Sequence, residues 1–153
     1  MTAHTRPREF RFPVAIAWDG GRRTTAHVDG KQPLRIATPP EFKGTDPDLW
    51  SPEDAFAAAA GSCLAVTIAA LAEHDGLPMH ELSVAAEGVV GRRPDGRFGF
   101  TRIEQKVTAA TDEEHADALR AVIAKAEESC LVTVSLSVPV ETTVEVARRV
   151  PVG

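Results

Sequence analysis

The chain has 153 residues, of which 43% are apolar and 25% are charged, and its formal net charge is −5. This is the composition of an ordinary soluble protein, and the length favours a single domain over residues 1–153. The negative charge argues against nucleic acid or an anionic membrane as a partner, because binding phosphate groups requires a basic face.

The N-terminal sequence, MTAHTRPREF, argues against a targeting segment. It lacks the apolar core of a secretion signal, and Pro7 and Glu9 would interrupt a helical transit peptide. We therefore expect a cytoplasmic protein.

Residues 10–50 predict short strands joined by turns. FRFPVAIAWDGG ends at a glycine pair, RTTAHVDGK ends at Asp-Gly, and PLRIATPPEF ends in prolines. Apolar runs that stop at such turn residues are typical of a β-meander.

The first predicted helix runs from about residue 51 to residue 75. Ser51 suits the N-cap and Pro52 the first helical position, while Gly76 and Pro78 mark the end. The helix is long enough to span a membrane, but it is mostly alanine, which gains little from transfer into lipid. We expect a buried helix.

The second half of the chain predicts a hairpin, a helix and a strand. Alternating apolar residues flank a Pro-Asp-Gly turn between residues 80 and 110, Thr111 opens a T-D-E-E capping box for a helix over about 111–130, and an alternating tail follows. Cys130 falls on the inward face of that helix. Together these elements predict an α+β fold with helices on antiparallel sheet.

Cys63 and Cys130 are the two cysteines. A reducing cytosol argues against a disulfide scaffold, and the absence of CxxC, HxxH, HExxH and GxGxxG patterns argues against a metal or nucleotide cofactor. Cys63 is either a small packing residue or a reactive thiol, and the small residues before it leave room at the sulfur. Because apolar surroundings disfavour a thiolate, reactivity would require a cation, for which arginine is the natural candidate.

Three segments together resemble one protein family. SPEDAFAAAAGSCLAVTIAALAEHDGLP resembles the signature helix of the osmotically inducible protein C and organic hydroperoxide resistance (OsmC/Ohr) family, AEESCLVTVSLSVPVE its second-cysteine segment, and AWDGG its early W-x-G turn. The resemblance covers about residues 14–146. It implies the α+β fold of that family and an intertwined homodimer with its sites at the subunit interface.

The resemblance also implies a function and its residues. Cys63 would be the peroxidatic thiol of an organic hydroperoxide reductase and Cys130 the resolving thiol, with an external dithiol as the reductant and no cofactor. Glu53 would orient an arginine that stabilises the thiolate, by position Arg22 or Arg23, with Arg35 as a further possibility. The alternative function is a small-molecule binding protein that keeps the pocket without efficient turnover.

Two features qualify this assignment. Characterised peroxidases of the family carry C-P-x-S at the second cysteine, whereas Cys130 is followed by Leu131, Val132 and Thr133. Glu53 and Cys63 lie roughly 15 Å apart along a straight helix. If both serve one site, either the helix breaks or Glu53 comes from another subunit, and we favour the second arrangement.

Overall fold

The structure, a computed structural model, describes residues 8–149. The segment MTAHTRP, part of the sequence that predicts a cytoplasmic location, lies outside the described residues. The chain divides into two compact units, Met1–Pro52 and Glu53–Gly153.

The N-terminal unit contains the predicted β-meander. Strands β1 (Ala15–Trp18), β2 (Arg23–His27) and β3 (Leu34–Ala37) form an antiparallel sheet in the order β1-β2-β3. The first turn needs glycine, because Gly20 and Gly21 have φ values of 91° and 58°. A short 3-10 helix, Pro40–Phe42, follows β3.

The long helix α1 (Pro52–His74) forms without interruption and confirms the predicted boundaries. It ends where Gly76 adopts a φ of 65° and the Leu77 amide donates to the Ala72 carbonyl at 2.9 Å. By length and composition α1 could cross a membrane, and 33% of its apolar stretch is buried. The expected burial therefore holds for one face of the helix.

The C-terminal unit contains a second three-stranded sheet, in the order β4-β5-β6. Strands β4 (Glu81–Arg92) and β5 (Phe98–Asp112) form the predicted antiparallel hairpin. Strand β6 (Val140–Arg149) pairs with β5 in parallel, so the expectation of purely antiparallel sheet is wrong here. The helices between β5 and β6 return the chain to the end of the sheet at which β5 began, and this makes the parallel pairing possible.

The second helix begins later than the sequence predicts. β5 continues through Thr111 to Asp112, a 3-10 turn follows at Glu113–His115, and α2 spans Ala116–Ser129. Thr111 is therefore not a helix cap: it is fully buried in the strand, and its hydroxyl donates to the Pro78 carbonyl.

A short helix, α3 (Leu131–Val134), occupies the start of the tail that the sequence predicts as strand. The core of this unit lies between the sheet and the helices α1 and α2. Its fully buried larger side chains are those of Leu64, Ile68, Ile103, Val107, Leu119 and Ile123.

Candidate functional site

Cys63 lies in the middle of α1, where small residues bring the helix close to the sheet. Gly61 is buried, and a Cβ at this position would lie 2.9 Å from the Cβ of Ala86 on β4. This close approach explains the glycine before the cysteine. Cys63 itself is half-buried and packs against the core cluster, so its thiol lies at the boundary between core and solvent.

Cys130 lies at the junction of α2 and α3 and is fully buried. The prediction that it faces inward is confirmed, although the residue follows α2 rather than belonging to it. Its backbone is extended, with φ −66° and ψ 111°, and its carbonyl accepts bonds from the Val134 amide at 3.1 Å and the Thr133 hydroxyl at 3.3 Å. These contacts hold the cysteine at the start of α3.

The structure brings the two thiols together. Burial raises the pKa of the Cys130 thiol, but hydrogen bonds from the Thr133 hydroxyl and amide, the Cys63 thiol and the Val132 amide lower it. The lowering interactions prevail, and the pKa of Cys130 lies below its ordinary value. Both cysteines are reduced, so the structure contains a dithiol in which Cys63 is the accessible partner and Cys130 the buried one.

Glu53 is the second residue of α1, where the helix dipole favours a carboxylate. Since α1 is unbroken, Glu53 and Cys63 of one chain are roughly 15 Å apart along the helix axis. The Oε2 atom of Glu53 is buried and has no hydrogen-bond partner among the described residues. A buried carboxylate oxygen of this kind requires a donor, and a guanidinium group supplies two in parallel.

The candidate arginines belong to the N-terminal unit. Arg22 donates through Nη1 to the carbonyls of Phe42 at 2.8 Å and Lys43 at 3.2 Å, and Arg23 pairs through Nη1 with Asp46 at 3.3 Å. Both line a cleft of about 290 Å³ in this unit. Arg35 lies exposed on β3.

An aromatic pair lies two helical turns from Cys63. Phe56 on α1 stacks on Phe100 of β5, with ring centroids 4.4 Å apart and an interplanar angle of 29°. Residues seven apart share one face of a helix, so Phe56 and Cys63 lie on the same side of α1. The Cys63 side of α1 thus carries an aromatic pair, roughly 10 Å along the helix axis from the cysteine.

Sequence reasoning missed three residues near the cysteine pair: Gln105, Glu127 and Thr133. Gln105 could have been found, because it is a polar residue at an inward position between Ile103 and Val107 on a predicted strand. Glu127 and Thr133 each lie three residues from Cys130, but no local pattern indicates which side chain turns toward the sulfur. Within residues 8–149 no group of three His, Cys, Asp or Glu side chains could hold a metal ion.

The α+β fold and the paired free thiols define the class of protein, an OsmC/Ohr-type fold with two cysteines in contact. A family model, described as OsmC-like protein, matches residues 44–145. The chain therefore belongs to the OsmC-like protein family, as its sequence predicted.

Individual relatives agree with this assignment. The chain is 27% identical over 142 residues to the uncharacterized protein YmaD of Bacillus subtilis, covering 90% of this chain and 93% of YmaD. An OsmC-like protein of unknown function from Vibrio cholerae superposes with a TM-score of 0.80 at 19% identity, covering 90% of this chain and all of that one. An organic hydroperoxide resistance protein from Elizabethkingia anophelis gives a TM-score of 0.72 at 21% identity, covering 94% of this chain and all of that one.

Proposed function

We propose that the protein is a thiol-dependent peroxidase that reduces organic hydroperoxides, with Cys63 as the peroxidatic cysteine and Cys130 as the resolving cysteine. The observation that carries this proposal is the hydrogen bond between the half-buried Cys63 thiol and the fully buried Cys130 sulfur. A disulfide needs two sulfurs that can meet, and here one of them, Cys63, is only half-buried.

The reaction proceeds in three balanced steps. The Cys63 thiolate attacks the distal oxygen of ROOH, the O–O bond breaks, and ROH leaves with a proton while Cys63 becomes a sulfenic acid. The Cys130 sulfur then attacks the sulfenic sulfur, the S–O bond breaks, and water leaves as the disulfide forms. An external dithiol reduces that disulfide and restores both thiols.

A guanidinium group, from Arg23 or Arg22, stabilises the Cys63 thiolate and the alkoxide that develops as the peroxide bond breaks. Glu53 orients this guanidinium through a bidentate pair. The Oε2 atom of Glu53 supports this role: it is a buried hydrogen-bond acceptor without a donor among the described residues, and a guanidinium group could supply one.

The aromatic pair on the Cys63 side of α1 supports an organic substrate over hydrogen peroxide. Phe56 and Phe100 provide aromatic area on the same side of α1 as the thiol, and burying an alkyl or aryl group there gains free energy that hydrogen peroxide cannot supply. Two structural relatives, from Elizabethkingia anophelis and Legionella pneumophila, are named organic hydroperoxide resistance proteins.

The working unit is a homodimer. Because α1 is unbroken, Glu53 and Cys63 of one chain are too far apart to serve one site. A Glu53 that acts on Cys63 must therefore come from a second chain. Apolar surface is available for it: the segment that leads into and includes β1 exposes a large apolar residue at every second position, namely Phe10, Phe12, Val14, Ile16 and Trp18. Val66 on α1 is 64% exposed as well. A second copy could cover the apolar side chains of the β1 segment, which form a row that a monomer rarely leaves open.

We place this activity in the cytoplasm, where a dithiol reductant is available. The small α+β unit with its packed core supports a soluble protein.

The proposal is tested by adding cumene hydroperoxide to the reduced protein and counting free thiols by mass spectrometry. One equivalent should yield a Cys63–Cys130 disulfide, and Cys130→Ser should stop at a Cys63 sulfenic acid that dimedone traps. Cys63→Ser is the matched control and should leave Cys130 unmodified. An unchanged mass together with saturable binding of a small apolar ligand would instead identify a binding protein.

A further inference from the structure

Where α1, β5, α2, α3 and β6 meet lies a pocket in which polar side chains converge. Its volume is about 180 Å³, room for more than one water molecule. Helices and strands of the C-terminal unit supply its lining, which consists of Leu64, Gln105, Glu127, Thr133, Val140 and Thr142. Two hydroxyls, one amide and one carboxylate therefore border the same space.

Gln105 is the residue that most needs a partner. It is 3% exposed, and neither its amide nitrogen nor its amide oxygen has a hydrogen-bond partner among the described residues. Alternate residues of a strand share a face, so Gln105 lies on the core face of β5 with Ile103 and Val107. A buried amide with both ends unpaired is costly, and buried groups of this kind are normally paired with protein or water. The pocket is where such a partner would bind.

Thr133 links the pocket to the cysteine. It lines the pocket, its hydroxyl donates to the Cys130 carbonyl at 3.3 Å, and the same hydroxyl oxygen lies beside the Cys130 sulfur. Glu127 lies one helical turn before Cys130 near the end of α2. The Glu127 carboxylate and the Thr133 hydroxyl thus border one polar pocket, and Thr133 connects that pocket to the Cys130 thiol.

We propose that this pocket is a hydrated proton-transfer site for Cys130, in which Glu127 accepts the thiol proton through Thr133 and pocket water, and Gln105 holds that water. The inference rests on the proposed peroxidase function, because a buried resolving thiol must lose its proton to react. Thr133, which touches the reacting sulfur, is the catalytic member, whereas Glu127 and Gln105 are positioning residues.

The proton balance is closed. The Cys130 S–H proton passes to the Glu127 carboxylate as the Cys130 sulfur attacks the sulfenic sulfur of Cys63, which the organic hydroperoxide has oxidised. The S–S bond forms, the S–O bond breaks, and the departing hydroxide takes the proton back from Glu127 and leaves as water. No other oxidant or base is needed.

Few charged groups compete for this proton. Among the described residues that line the pocket, Glu127 carries the one titratable side chain, since α1 presents Leu64, β5 presents Gln105, and β6 presents Val140 and Thr142. The Cys63 thiol of α1 bonds to the Cys130 sulfur itself. A pH dependence of Cys130 reactivity should therefore reflect Glu127 and the two thiols.

The test separates this inference from the peroxidase proposal by using no peroxide. The accessible Cys63 of the reduced protein is charged with one thionitrobenzoate group from Ellman's reagent, and attack by Cys130 then releases that group, which is followed by its absorbance. Glu127→Gln should slow the release at least tenfold below pH 7 and steepen its rise with pH, because hydroxide must then replace the carboxylate. Glu128→Gln, an exposed neighbour in the same turn, is the matched control and should behave as wild type.

Identical pH profiles for wild type, Glu127→Gln and Glu128→Gln would overturn the proton-transfer role. If the release behaves as expected but cumene hydroperoxide leaves Cys63 unoxidised, the peroxidase proposal is the one that fails.

Gln105 provides a second measurement that does not depend on activity. If its amide is solvated by pocket water, Gln105→Met should leave the melting temperature unchanged or lower it, and release from charged Cys63 should slow. If the amide is simply unpaired, the apolar replacement should raise the melting temperature and leave the release rate as it was, which would contradict the assigned role.

Discussion

The Cys63 thiol lies against the sulfur of Cys130, although Cys63 is in the middle of α1 and Cys130 is at the junction of α2 and α3. The contact is asymmetric: Cys63 is half-buried, whereas Cys130 is fully buried. The hydrogen bonds around Cys130 lower its pKa, against the effect of its burial. The lowered pKa favours the Cys130 thiolate, which is the form that the proposed resolving step requires.

Stability of the reduced protein should depend on pH through Cys130. Its pKa is lower in the folded state than in the unfolded chain, where a thiol titrates at about 8.5. The stabilisation is therefore present in full above the unfolded-state pKa and is lost as pH falls through the folded-state pKa. Urea unfolding of the reduced protein between pH 6 and 9.5 should show the free energy of unfolding rising with pH relative to Cys130→Ala. A constant difference between the two proteins across that range would contradict the lowered pKa.

Activity should be complemented between chains if Glu53 acts across a dimer interface. Cys63→Ser and Glu53→Gln should each be nearly inactive alone, but a mixed dimer would pair an intact Cys63 from one chain with an intact Glu53 from the other. Because random exchange makes half of the dimers mixed and each holds one intact site of two, we expect about one quarter of wild-type peroxidase activity. The measurement is hydroperoxide consumption after unfolding and refolding an equimolar mixture.

The Cys63→Ser and Glu53→Gln chains differ in mass, so native mass spectrometry of the mixture itself reports whether subunits exchange: a mixed dimer lies midway in mass between the two homodimers. Exchange without recovered activity would place Glu53 and Cys63 of one site on the same chain.

The local sequence predicted α1 well because both of its ends are encoded by residues with fixed backbone preferences, Ser51-Pro52 at the start and Gly76 at the end. The start of α2 was misjudged for the same local reason. The T-D-E-E box at Thr111 has the residues of a helix cap, but pairing of β5 with β6, in which Thr111 lies opposite Arg148, keeps Thr111 extended. Pairing energy from distant residues outweighed a local preference of about 1 kcal/mol.

For the candidate site, too, the local sequence predicted only those features that do not depend on distant contacts. The motif around Cys63 indicated the candidate reactive cysteine, and the helical spacing indicated that Cys130 faces inward. No spacing in the sequence, however, indicates that Thr133 turns back to the Cys130 sulfur or that Gln105 has no partner. Those relations depend on how β5, α2 and α3 pack, which is settled by contacts between residues far apart in the chain.

Mutation should distinguish the two candidate arginines, because their side chains make different interactions. Arg22 donates to two backbone carbonyls, so Arg22→Met should destabilise the N-terminal unit by about 1 kcal/mol. Arg23 makes a half-exposed ion pair with Asp46, an interaction of about 0–1 kcal/mol, so Arg23→Met should change stability little. If Arg23 stabilises the thiolate, this variant should react with cumene hydroperoxide about 100-fold more slowly.

Stopped-flow oxidation and thermal melting of both variants check this assignment, with Asp46→Asn as the control that removes the ion pair and keeps the guanidinium. The assignment would be reversed if Arg22→Met were oxidised slowly at unchanged stability while Arg23→Met were oxidised at the wild-type rate.

Gly61 should be the least replaceable small residue of α1. An alanine Cβ here would lie 2.9 Å from the Cβ of Ala86, closer than two carbons can approach, so the helix or β4 must shift. Helix propensity favours alanine by up to about 1 kcal/mol, but overpacking costs about 1–3 kcal/mol, and we expect Gly61→Ala to lower the free energy of unfolding by about 1–2 kcal/mol. Urea denaturation of the variant, of Ala86→Gly and of the double mutant forms a thermodynamic cycle. Ala86→Gly should destabilise the wild type yet recover stability in the Gly61→Ala background, and additive losses would show that the two residues do not compete for the same space.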